Sequence, residues 1–178
     1  MLPKIFVTLI LAVVMTGCST YSANRYSISV DNVTALKEIN ETKLDVGEFT
    51  ASKPGQTEIM CRGVGPIKTP DGQTFENFIK KALVDELKIA EAYSNSAPIT
   101  LTGNLDAIDF SSNSGTWNLA LTVNSSNGNS LSASENYSYT TSFYGETACN
   151  QTAQALMPAV QNLIGKVVQN NEFRKLIQ

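Results

Sequence analysis

Three cysteines and no histidine set the side-chain chemistry open to this chain of 178 residues. Cys18 closes the phrase Met15-Thr16-Gly17-Cys18 after an apolar run, whereas Cys61 and Cys149 stand in the body of the chain. The absence of histidine removes the side chain most used as a general acid or base near neutral pH, and the commonest metal ligand. Ser-His-Asp, Cys-His and His-bearing zinc arrangements are thereby excluded.

The remaining candidates are carboxylates, glycines and aromatics. Asp106 and Asp109 lie three residues apart, and in a regular strand that spacing points them to opposite faces. Only a bulge would bring them together for acid-base or metal work, so a solvated edge is the expectation. Gly63-Val64-Gly65 and Gly72 follow no phosphate-binding spacing and read as turn glycines. Trp117, Tyr137, Tyr139, Phe143 and Tyr144 form an aromatic band; core packing is the first reading, an exposed strip for a partner, glycan or lipid the second. No cofactor and no metal site are expected.

The start of the chain has Lys4, then an apolar stretch from Ile5 to Val14 broken only by Thr8. A membrane span needs about 20 apolar residues, whereas roughly 10 fit the h-region of a signal peptide. Residues 1–17 are therefore expected to be a signal peptide, with Gly17 letting a peptidase reach the bond before Cys18. Met15 to Cys18 resembles the lipobox of bacterial lipoproteins, with Met15 in place of the usual Leu. The resemblance implies a diacylglycerol on the Cys18 thiol, cleavage before Cys18 and acylation of the new amino group. Ser19, where an Asp would resemble an inner-membrane retention signal, implies the outer membrane and a domain in the periplasm. An ordinary secretory signal, or an uncleaved anchor, is the alternative.

With Cys18 taken by lipid, Cys61 and Cys149 are left as an even pair in an oxidising compartment, where a disulfide is expected. A bridge across so long a loop removes roughly 4 to 5 kcal/mol of unfolded-state entropy in the simple loop model. Two buried free thiols are the alternative, and a metal site is poorer because no partner ligands cluster nearby.

The chain has 13 basic and 16 acidic residues, a formal charge of −3, and one of the basic residues, Lys4, lies in the leader. Such a balance attracts neither nucleic acid nor anionic head groups, so attachment to a membrane must come from the acyl chains.

Residues 18–25 read as a short linker and 26–178 as a single domain. Ser27-Ile28-Ser29-Val30 alternates as a first strand, Val33 to Ile39 is a brief helix or turn, and Leu44 to Phe49 and Ile59 to Val64 are further strands. Gly63, Gly65 and Pro66 end the last of these. Phe75, Phe78, Ile79, Ala82, Leu83, Leu87 and Ala90 define an amphipathic helix capped by Thr74 and running to Ala92. Glu76, Lys80, Lys81, Asp85, Glu86 and Lys88 make its solvated face. Ile99 to Phe110 alternates with a change of phase after Ala107 that predicts a bulge. Trp117 to Val123 and Leu131 to Phe143 follow across an Asn127-Gly128 turn. A second long helix begins after Gly145, and Pro158 predicts a kink or a new helix start within it.

This order implies an α+β two-layer sandwich, a mainly antiparallel sheet with two long helices on one face. The phrase Leu44-Asp45-Val46-Gly47-Glu48-Phe49, the helix bearing Phe75, Phe78, Ile79, Ala82 and Leu83, and Leu101-Thr102-Gly103-x-Leu105 before a meander resemble ABC-type transport auxiliary lipoproteins. The resemblance covers residues 27–168 in pattern and carries over no functional residue except Cys18. It implies a non-catalytic accessory module that binds another envelope component of a transport or assembly system. A carrier of a small apolar ligand or lipid between sheet and helices is the second reading, and an envelope hydrolase, disfavoured by the missing histidine, the third.

Overall fold

A computed structural model describes residues 20–39 and 42–178; the leader and Cys18 lie outside them. In chain order the elements are β1 (Tyr21–Ser22), α1 (Val30–Lys37), β2 (Leu44–Ala51), β3 (Glu58–Cys61), β4 (Gly65–Lys68), a 3-10 turn (Pro70–Gly72), α2 (Phe75–Ile89), β5 (Ile99–Ser111), β6 (Thr116–Ser125), β7 (Ser130–Ser138), α3 (Gly145–Val168) and α4 (Phe173–Leu176). The class is α+β.

Four strands form the main sheet in the order β2-β5-β6-β7, antiparallel from β5 to β7. β2 runs parallel to β5, which requires a crossover, and β3, β4 and α2 supply it. A second sheet, β1-β4-β3, pairs β1 parallel and β3 antiparallel to β4. The strands are thus divided between two sheets, where one was expected. Arg62 and Gly63 take φ of 50° and 69° and fold the Ile59–Val64 run back on itself, so β3 pairs with β4 in the smaller sheet. Gly65 and Pro66, expected to end a strand, begin β4.

β6 repeats the expected alternation, with Trp117, Leu119, Leu121 and Val123 buried and Asn118, Thr122 and Asn124 on the other face. α2 lies over β2, and α3 over β6 and β7. Thr74 caps α2 by accepting from the Asn77 N–H, and Phe75, Phe78, Ile79, Ala82, Leu83 and Leu87 are buried beneath it. α3 runs as a single helix of 24 residues through Pro158, so no second helix starts there. β7 stops at Ser138 rather than Phe143; beyond it Tyr139 donates its N–H to the Gly115 carbonyl and the chain leaves the sheet.

Two expectations near the N-terminus fail for a local reason. Ser27 to Val30 is not a strand: Ser29 is the N-cap of α1, its hydroxyl accepting from the Asn32 N–H, and Val30 is the first helical residue. The apolar members of that alternation, Ile28 and Val30, are exposed. The segment read as a linker up to residue 25 also belongs to the domain, because Tyr21 and Ser22 pair with Ile67 and Lys68, and Arg25 meets Asp71 at 2.5 Å.

Candidate functional site

Cys61 ends β3 and Cys149 lies in the second turn of α3; the two are joined, with S–S 2.07 Å, Cα–Cα 5.9 Å and 88 residues between them in sequence. Both are fully buried. The bond is the expected disulfide and ties α3 to the smaller sheet. Cys18, the expected lipid attachment site, lies outside the described residues.

Next to the disulfide, Arg62 closes one end of the domain. Its guanidinium donates to the carbonyls of Ser112 (2.6 Å), Phe143 (3.0 Å) and Ser142 (3.3 Å) and to Ser112 Oγ (2.9 Å). The β3–β4 turn, the β5–β6 turn and the segment before α3 are thereby held together. Phe143 and Tyr144 project from this junction in an edge-to-face pair and are 94% and 75% exposed.

The aromatic band therefore divides. Trp117 is fully buried and donates Nε1–H to the Thr152 carbonyl at 2.8 Å, while Tyr139 bonds the Thr152 hydroxyl, which itself donates to the Ala148 carbonyl. Desolvation raises the pKa of the Tyr139 phenol. Tyr137 and Tyr139 are half-buried, and only Phe143 and Tyr144 face solvent.

Asp106 and Asp109 do reach one face of β5, because the predicted bulge falls between Leu105 and Ala107. Each carboxylate is already engaged within the sheet. Asp106 accepts from Asn104 Nδ2 (2.6 Å) and Thr122 Oγ1 (2.7 Å), and Asp109 from Asn118 Nδ2 (2.8 Å). Asn136 in turn bonds Asn118, and Thr122 bonds Ser132, so the open face of the sheet is a hydrogen-bonded polar ladder. None of its four strands carries Lys or Arg.

Three carboxylates are buried, each with its own partners. Glu86, on α2, accepts from Tyr26 Oη (2.5 Å), the Ser29 N–H (2.8 Å) and Asn32 Nδ2 (3.5 Å). Burial and this carboxylate together push the Tyr26 phenol well above the usual tyrosine range. Glu135, on the core side of β7, meets Lys166 at 2.7 Å, and Glu76 accepts from the Gly55 N–H. Glu76 and Glu86 thus leave the solvated face assigned to them. Glu86 sits at helical spacing from Ile79, Leu83 and Ala90, which is the signal that placed it on the apolar stripe. Arg62 carried no comparable signal, since its partners are backbone carbonyls distant in sequence. Among the described residues no group of three or more Asp, Glu, Cys or His converges.

Two surface depressions of about 470 Å³ are polar: one borders Asp31, Glu38, Asn170 and Arg174, the other Asn32, Glu135, Gln161 and Lys166. Phe75, Phe78, Trp117, Leu121, Leu156 and Phe173 are buried between sheet and helices, and a mainly apolar depression of about 140 Å³ is lined by Ala51, Phe75, Leu105 and Ile108. No helix among the described residues is long and apolar enough to cross a membrane.

No family model and no curated protein matches this sequence. Among solved structures the chain is similar to the crystal structure of a Xanthomonas campestris protein assigned to family model DUF330, with a TM-score of 0.49 and 9% identity over 85% of this chain and 95% of that one.

Proposed function

We propose that this chain is a lipid-anchored, non-catalytic module of the bacterial periplasm, held on the outer membrane through Cys18, that binds another component of an envelope transport or assembly system. The observation that carries the reading is the Cys61–Cys149 disulfide, which suits an oxidising compartment and leaves Cys18 as the odd thiol at the end of a signal-like run. Asp106 and Asp109 are engaged within the sheet, so this pair lends no support to the hydrolase alternative. The apolar depression beside Phe75 and Leu105, about 140 Å³, is small against the roughly 300–1,000 Å³ of ligand pockets, which speaks against an apolar cargo there.

Mass spectrometry of crosslinked membranes, comparing the native protein with Cys18→Ala, tests the proposal. Expected are an N-terminal peptide that begins at acylated Cys18, and an envelope protein crosslinked to the native form but not to the soluble variant. An unacylated mass with a soluble native protein sinks the anchor, and a protein that stays monomeric in every envelope extract sinks the binding role.

A further inference from the structure

We infer that the end of the domain built around Arg62 rests on the lipid surface, with Phe143 and Tyr144 entering the head-group region. The inference rests on the anchoring at Cys18 proposed above. β1 runs parallel to β4, with Tyr21 opposite Ile67, so the chain enters the domain from the Gly65 side of β4. That side carries the Arg62–Val64 turn. It also carries the start of α3, since a β-carbon on Gly145 would lie 3.0 Å from Val64 Cγ2. Cys18 precedes Tyr21 by three residues, a reach of at most about 11 Å. Acyl chains on Cys18 are therefore confined to the neighbourhood of the two exposed rings, and Met60, 61% exposed and beside Cys61, adds a third apolar side chain there.

The loop is also prepared for a partly apolar medium. Arg62 bonds the carbonyls of Ser142 and Phe143, so the backbone that carries the rings does not bring these acceptors unpaired into the interface. The guanidinium is committed to these bonds, and the contact relies on aromatic insertion rather than charge. Tyr144 has the amphipathic shape that the head-group region accepts, and Phe143 supplies apolar area beside it.

Tryptophan fluorescence tests this. Full-length lipidated Phe143→Trp and, as a distal control, Ile89→Trp at the far end of α2 are reconstituted in phosphatidylethanolamine–phosphatidylglycerol vesicles with and without acyl-brominated phosphatidylcholine. The wild type, whose Trp117 is buried, provides the blank. A blue shift and several-fold stronger quenching of Trp emission from the position 143 variant than from the position 89 variant are expected. Acylated protein in which the position 143 signal is unquenched overturns the inference while leaving the anchor intact, and a blue shift without quenching does the same by marking a protein contact. A mass lacking acyl chains overturns both.

Discussion

The ring of Phe49 lies over Gly103, its cross-strand partner in the parallel β2–β5 pair, so closely that a β-carbon on Gly103 would come within 2.6 Å of Cε2. The position of Phe49 depends on the bulge between Val46 and Phe49, which shifts the register of β2 against β5. Gly103→Ala is expected to cost about 1–3 kcal/mol, because the methyl must displace a buried ring. Urea melts check this, and combining Gly103→Ala with Phe49→Leu should cost less than the sum of the single changes.

Loss of the disulfide should be costly. Cys61→Ala/Cys149→Ala is expected to lose about 2–4 kcal/mol, since the bridge constrains a long segment of the unfolded chain. Calorimetry with and without reductant reads it; a melting temperature indifferent to reduction would contradict the structure.

Glu86 organises the start of α1 from within the core. Removing it in Glu86→Ala leaves the Ser29 N–H and the Tyr26 hydroxyl without their acceptor, at an expected cost of about 2–4 kcal/mol. Glu86→Gln retains a carbonyl oxygen and should cost less. Amide exchange near Ser29 should rise with the first variant more than with the second.

Tyr26 gives alkaline stability a definite sign. Its pKa is raised in the folded state, so above about pH 10 the unfolded chain releases a proton that the folded one keeps. Stability should therefore fall as pH rises beyond that value. Tyr26→Phe, though less stable at neutral pH, should show a shallower alkaline decline in urea midpoints; an unchanged slope counts against the assignment.

Asp106 and Asp109 are exposed members of a surface ladder, and Asp106→Ala or Asp109→Ala should each change stability by no more than about 0.5 kcal/mol. Denaturant midpoints measure it, and a loss above 2 kcal/mol would show that the ladder holds the bulge in place.

The parts of the fold legible in sequence were those with a long, one-sided period. Trp117 to Val123 alternates over a whole strand, and Phe75 to Leu87 keeps helical spacing over a whole helix, so burial and pattern agree. Ser27 to Val30 misleads because four alternating residues cannot outweigh a side-chain cap at Ser29. β1 is two residues long and exists only through β4, a pairing no local pattern announces. The disulfide was legible by parity once Cys18 was set aside. Phe143 and Tyr144 were not separable from Tyr137 and Tyr139, because β7 ends at Ser138 opposite Thr116, the first residue of its partner β6, and the aromatic period carries no mark of that point.

The span of the Cys61–Cys149 bond also fixes an order of events in an exported chain. Everything from the β3–β4 turn to the start of α3 lies between the two cysteines, so Cys61 must wait as a thiol until nearly the whole sequence has emerged. During that wait the earlier thiol available to it is Cys18, and a bond between those two would trap the chain in a wrong connection. Were Cys18 acylated as proposed above, that competitor would be removed, and a modification made for attachment would double as a proofreading step for oxidative folding.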